Sequence, residues 1–193
     1  MFKLPPMKKI IIFASGSGSN AERIATYFHQ KGTAQVSLIL CNNPQAGVLT
    51  RAKRLAIPSL VFNRQAFYES DIVLNVLKSQ HPDLIVLAGF LWKVPAYLTE
   101  AYPHKIINIH PSLLPKYGGK GMYGLKVHQA VFENGDKESG CTVHYVTSNV
   151  DAGEIIGQEK VNISMAKSPE EIQKIVLERE WKLLPSVVKK LIK

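Results

Sequence analysis

The sequence predicts an α/β fold: a single compact domain with a mostly parallel central sheet, helices on both faces, and a nucleotide-binding-like first half. Three observations carry this. Short apolar, mostly β-branched runs recur along the first half, at Lys9–Ala14, Gln35–Cys41, Ile57–Phe62, Asp83–Ala88 and Lys105–Ile109. Helix-like segments separate the first four, at Asn20–Gln30, Ala46–Ala56 and Gln65–Gln80. The runs also lack the apolar–polar alternation of a half-exposed strand, which is the pattern of a parallel sheet covered on both sides.

Composition agrees with a globular chain. The 193 residues are 46% hydrophobic and 20% charged, which excludes disordered and fibrous architectures. No apolar run approaches the roughly 18–20 residues that a membrane span needs. The N-terminal stretch Met1–Met7 lacks the apolar core of a secretory signal, so a cytoplasmic location and no membrane partner are expected. Cys41 and Cys141 match neither a disulfide framework nor a metal spacing and are expected as small buried residues. A net charge of +9 invites a nucleic-acid reading. However, Lys3, Lys8, Lys9, Lys189, Lys190 and Lys193 sit at the two ends, with no arginine cluster between them. A solvated basic surface, suited to small anions, is the reading we adopt, with no nucleic acid as partner.

Each element has a local reason. The first strand runs into Ser15-Gly16-Ser17-Gly18-Ser19-Asn20-Ala21 and then a helix. Glycines permit a tight turn, and a helix N-terminus offers free N–H groups and a favourable dipole to an anion. The spacing Gly16-x-Gly18-x-x-Ala21 matches a dinucleotide fingerprint, but that reading needs an acidic residue after the second strand. No Asp or Glu occurs between Glu22 and Glu69, so a single phosphate is expected instead.

One short helix is expected after Pro95, in the linker Leu91–His104. Strand Lys105–Ile109 leads into Asn108-Ile109-His110-Pro111-Ser112-Leu113-Leu114-Pro115. Strand alternation puts Asn108 and His110 on the same side, at the carboxyl edge where ligands of open α/β sheets gather. An amide beside an imidazole can stabilise an oxyanion, and the imidazole can move a proton. His29, His81, His104, His128 and His144 have no such neighbour in sequence, and no histidine spacing suggests a metal site.

The pattern changes after His110. Residues Ser112–Leu125 are loop-like and glycine-rich, followed by a helix at about Lys126–Glu133 and strands Cys141–Val146 and Glu154–Val161. A single domain over residues 1–193 is expected, with halves of about 8–109 and 110–193. Asp151 lies on the turn between the last two strands. It is either an ordinary Asp-x-Gly turn or a carboxylate that raises a histidine pKa, and spacing alone does not decide. In the C-terminal helix Ser168 is the N-cap, Pro169 fits N1 and Glu171 closes a capping box. Its apolar stripe of Ile172, Ile175, Val176, Leu183, Val187 and Leu191 is interrupted by Arg179 and Glu180. The helix either curves out to solvent there, with Pro185 breaking it, or meets a ligand.

These motifs together resemble the phosphoribosylglycinamide formyltransferases, from about Lys8 to Pro185. The likeness rests on Ser15-Gly16-x-Gly18-Ser19-Asn20, Leu87-Ala88-Gly89-Phe90, the Asn108–Pro115 block, Gly140–Val146, and Asp151-Ala152-Gly153-Glu154-Ile155-Ile156. The resemblance implies transfer of the formyl group of 10-formyltetrahydrofolate, a co-substrate, to the amine of phosphoribosylglycinamide in purine synthesis. No metal is implied, and the protein would be a monomer or homodimer. It implies that Gly18, Ser19 and Asn20 bind the substrate phosphate and that Glu180 contacts its ribose or glycinamide end. Asn108, His110 and Asp151 align with the catalytic trio. Arg64, Leu91, Trp92, Lys93, Val94, Asn108 and the turn Thr147, Ser148, Asn149, Val150 and Asp151 align with the folate pocket. On this reading a protonated His110 stabilises the oxyanion with Asn108, and Asp151 raises the imidazole pKa. Two departures stand out. Trp92 occupies a position where many members of that family carry arginine, and the loop Tyr117–Lys126 is longer and richer in glycine.

Overall fold

The computed structural model describes residues 7–192; Lys3, Lys193 and most of the N-terminal stretch read above lie outside them. In chain order the elements are β1 (Lys8–Ala14), α1 (Ser19–Lys31), β2 (Ala34–Cys41), α2 (Gly47–Arg54), β3 (Ser59–Val61), α3 (Arg64–Tyr68) and α4 (Ile72–Gln80). Then follow β4 (Leu84–Leu87), α5 (Ala96–Ala101), β5 (Ile106–His110), α6 (Leu125–Glu133), β6 (Glu138–Tyr145), β7 (Ile155–Asn162) and α7 (Pro169–Leu191). One seven-stranded sheet has the order β3-β2-β1-β4-β5-β6-β7. β3 to β5 run parallel, and β6 and β7 pair antiparallel at one edge. The mostly parallel sheet that the sequence predicts is the one observed.

Strand β1 shows why the apolar runs are continuous. Ile10, Ile12 and Ala14 face a core shared with α1, α2 and α7. Ile11 and Phe13 face the opposite core, with Phe67, Val73, Leu77 and Leu98 from α3, α4 and α5. From Ile10 to Ala14 both faces are buried, so those five positions are all apolar, while Lys8 and Lys9 stand at the half-buried start of the strand.

Two expectations are corrected. The single helix Gln65–Gln80 is two helices, because Ser70 between them bonds locally to the backbone. Its hydroxyl donates to the Ala66 carbonyl (3.2 Å) and accepts from the Ile72 N–H (3.5 Å). Pro185 does not end the last helix, which runs on to Leu191. A proline inside a helix costs about 3 kcal/mol. Here Leu184, Pro185, Val187 and Val188 are all buried, and packing holds the helix together across the lost hydrogen bond. At the start of α7 the Ser168 hydroxyl accepts from the Glu171 N–H at 3.3 Å, as expected, while the Glu171 carboxylate accepts from the Lys167 N–H at 2.7 Å, one residue before the cap that a capping box would use.

Candidate active site

The sheet order reverses between β1 and β4, each flanked by parallel neighbours running outward, and a crevice forms beyond the carboxyl ends of the strands there. A cavity of about 610 Å³ occupies this place. Its wall includes Gly18, Ser19 and Asn20 after β1, Leu91–Val94 after β4, and Asn108 and His110 at the end of β5. Thr147, Asn149, Val150 and Asp151 from the β6–β7 turn, and Glu180 from α7, complete it. Residues as far apart in sequence as Gly18 and Glu180 thus meet around one space.

At one end stands the start of α1. Gly18 adopts φ +77°, and a Cβ there would lie 2.7 Å from the Val48 Cα. Both conditions select glycine. The turn is pinned from α2, where the Val48 N–H donates to the Gly16 carbonyl (3.0 Å) and Arg51 Nε to the Ser17 carbonyl (2.8 Å). No side chain caps α1, leaving its first N–H groups available to an anion. Glu22, the one acid in that first turn, is paired with Arg51 and Arg54.

Glu180 resolves the interrupted stripe of α7. Its side chain does not curve into solvent; it is 8% exposed and accepts from Asn20 Nδ2 at 2.6 Å. Burial pushes its pKa up to about 7, against the smaller opposing effect of Asn20.

The middle of the cavity holds a compact polar group. His110 is 4% exposed, with Nε2 2.8 Å from the Tyr117 carbonyl and Nδ1 3.5 Å from Asp151 Oδ2. A carbonyl only accepts, so Nε2 carries the hydrogen and the lone pair of the neutral ring lies on Nδ1, toward Asp151. Asp151 Oδ2 also accepts the Gly119 N–H at 2.9 Å. Burial raises the Asp151 pKa, but the two histidines and this N–H outweigh it and hold the carboxylate below its ordinary value.

The expected effect of Asp151 on His110 is present, but it is not the largest one. Asp151 and the Tyr117 carbonyl do raise its pKa, but burial lowers it by more. Its pKa is therefore held below the ordinary value.

His144 belongs to this group, although no neighbour in sequence marks it. It lies directly opposite Asn108 in the β5–β6 pairing, with Asn108 Nδ2 donating to its Nε2 at 3.1 Å. The same nitrogen lies 3.6 Å from Asp151 Oδ1, while Nδ1 donates to the Tyr145 carbonyl. Alternation within Cys141–Val146 could have shown that His144 shares the face of Thr142, but not which strand it would oppose.

Two of the expected folate contacts are not on the cavity wall. Ser148 is exposed on the turn, and Arg64 stacks outside, its guanidinium 5.1 Å from the Tyr68 ring and 5.3 Å from the Trp92 ring. Trp92 itself lines the cavity and joins an aromatic cluster with Phe62, Phe67 and Phe90. The glycine-rich loop contributes Gly119 to Gly124 to the wall, and α7 adds Gln173 and Leu177. Among the described residues, no cluster of three His, Cys, Asp or Glu could hold a metal ion.

Comparison with known proteins places these features in context. The model of the formyl transferase family matches residues 8–188. The phosphoribosylglycinamide formyltransferase of Bacillus subtilis is 39% identical, over 96% of this chain and 95% of its own. A chloroplastic phosphoribosylglycinamide formyltransferase of Arabidopsis thaliana is 40% identical over 95% of this chain, which spans 65% of that protein's length. The crystal structure of phosphoribosylglycinamide formyltransferase from Anaplasma phagocytophilum superposes with a TM-score of 0.89 at 33% identity, covering 97% of this chain and 87% of the other.

Proposed function

The chain belongs to the formyl transferase family, and we propose that it works as a single domain that moves a formyl group from 10-formyltetrahydrofolate to the amine of phosphoribosylglycinamide. The observation that carries this is the shared cavity. An anion-ready helix start, a buried carboxylate and the Asn108–His110–Asp151 group line one space of about 610 Å³.

The donor's chemistry is that of an activated formyl carbon bound to a nitrogen that can leave. The residues of the chain divide the remaining work. Gly18, Ser19 and Asn20 hold the phosphate of the ribonucleotide at the α1 N-terminus. Glu180, ionised above about pH 7, accepts hydrogen bonds from the ribose or glycinamide end. The apolar surface of Trp92, Val94 and Val146, with backbone groups of Leu91–Val94 and Thr147–Asp151, takes the flat folate ring. Arg64, stacked on Trp92 outside the cavity wall, takes the folate's acidic tail on this reading.

The amine attacks the formyl carbon, and the bond from that carbon to the folate nitrogen breaks. Negative charge builds on the formyl oxygen, where the Asn108 amide and a cationic His110 oppose it. The neutral His110 accepts the amine's proton at Nδ1, becoming a cation 3.5 Å from the Asp151 carboxylate. It returns that proton to the departing nitrogen. Asp151 therefore stabilises the charged ring formed during the reaction.

Small-molecule substrates, a cytoplasmic location, and a monomer or homodimer complete the reading. Among the described residues no helix is long and apolar enough to cross a membrane. Incubation with both substrates tests it. Loss of the formyl-folate absorbance is expected only when phosphoribosylglycinamide is present, whereas loss in its absence would indicate hydrolysis and overturn the reading.

A further inference from the structure

Behind His110, away from the folate contacts, a second polar network joins the catalytic loop to the end of α6. The Tyr117 carbonyl that accepts from His110 Nε2 at 2.8 Å belongs to a residue at φ +56°. That left-handed conformation costs a non-glycine residue about 1–2 kcal/mol, so the loop needs an external tie to keep it. The tie is visible. The Tyr117 hydroxyl donates to Asp136 Oδ2 at 2.8 Å, and Lys116 Nζ donates to both Asp136 oxygens at 2.9 and 3.1 Å. Asp136 is itself held on the turn after α6, where Asn134 Nδ2 donates to its Oδ1 at 2.8 Å and its own N–H donates to the Val131 carbonyl. In the residue just before Tyr117, the Lys116 carbonyl accepts from the Ser112 hydroxyl at 2.6 Å.

We propose that Asp136 and the Tyr117 hydroxyl are positioning residues for the transfer step: they fix the left-handed turn whose carbonyl keeps the hydrogen of His110 on Nε2. This rests on the role given to His110 above. If Nε2 carries the hydrogen, Nδ1 is left as the base. A loosened turn lets the hydrogen move to Nδ1, where the Asp151 carboxylate attracts it, and the ring then has no lone pair for the amine's proton. The same turn continues to Gly119, whose N–H holds Asp151, so both partners of the pair depend on it. The other titratable groups facing His110 are His144, across the Asp151 carboxylate, and His128 on α6. Neither touches the Tyr117 carbonyl in the way His110 does.

The test is made on ligand-free protein labelled with ¹⁵N-histidine, comparing the wild type with Tyr117→Phe and Asp136→Ala. The wild type is expected to show His110 as the Nε2–H tautomer. Both variants, folded by circular dichroism, are expected to gain Nδ1–H tautomer and to titrate His110 at lower pH, because the carbonyl contact that favours its charged form is weakened. Turnover in formyl transfer is expected to fall about tenfold with both KM values within about twofold, as misplacing a reacting group by about 1 Å costs up to about a hundredfold. If either variant keeps the wild-type tautomer and titration, the inference is overturned, whatever its activity. The spectroscopic arm needs no substrate, so a wild-type protein that failed to transfer formyl would overturn the proposed function and leave this arm standing.

Discussion

Asn20, in the first turn of α1, donates its side-chain amide across 2.6 Å to Glu180 in α7, joining residues 160 positions apart on the wall of the cavity. Burial is the dominant influence on this carboxyl and raises its pKa from 4.5 to about 7. The folded protein therefore holds a proton at pH values where the unfolded chain has lost it. Its contribution is most favourable below about pH 4.5 and is lost as pH rises through about 7.

Replacing Glu180 by Gln should remove that penalty. The stability gained over the wild type should grow between pH 5 and pH 8, to about 3 kcal/mol, by the usual 1.36 kcal/mol per pKa unit. Urea unfolding of both proteins at the two pH values measures it. The same variant should bind the ribonucleotide more weakly, because an amide cannot replace the acceptor capacity of the carboxylate. A buried acid that lowers stability where the enzyme works is what a binding site, rather than a packing contact, requires.

His110 gives a second pH dependence of opposite sign. Burial holds its pKa below the ordinary 6.5, Asp151 opposing. If the neutral ring is the base, kcat at saturating ribonucleotide should fall on the acid side of pH 6.5, whereas kcat/KM for the ribonucleotide also carries the Glu180 ionisation near pH 7. Asp151→Asn removes the carboxylate that supports the cation, so its acid limb should move to still lower pH. A profile from pH 5 to 8 for the two proteins checks this. Activity that rises on acidification would instead require a protonated resting histidine.

Gly18 tests the phosphate site. Its φ of +77° and the nearness of Val48 both oppose a side chain. Gly18→Ala should disturb the start of α1 and raise KM for phosphoribosylglycinamide by about tenfold, comparable with the 1–2 kcal/mol cost of left-handed backbone. KM for the formyl-folate should stay within about twofold. Steady-state kinetics with each substrate varied in turn separates the two. Equal changes in both would place the damage elsewhere.

The parts of this site written locally were legible in the sequence. Gly18 to Asn20 follow a strand and open a helix, and Asn108 and His110 alternate on one strand, so each could be placed without knowing the rest. Glu180 was visible as a charge on an apolar stripe, but choosing between solvent and cavity required knowing that Asn20 lies opposite. His144 and Tyr117 were not legible. One depends on the register of the β5–β6 pairing, and the other acts through its backbone carbonyl, which any residue supplies. For His110 the sequence shows a possible charged partner but not the depth of burial, and here burial is the larger effect on its pKa. Likewise, the Gln65–Gln80 segment reads as one helix because its helical pattern masks the short Glu69-Ser70-Asp71 interruption, whereas Pro185 signals a break that the surrounding core overrides.

The central claim is that formyl transfer takes place at His110 beside Asp151. The most direct measurement is the rate of formylated ribonucleotide formation by wild type, His110→Ala and Asp151→Asn, each shown to be folded, with saturating 10-formyltetrahydrofolate and phosphoribosylglycinamide. Wild-type product should appear one for one with formyl-folate consumed, and both variants should lose about 10²–10³ in turnover, as expected for removing a group that stabilises transition-state charge. Turnover within a few-fold of wild type in either folded variant would contradict it.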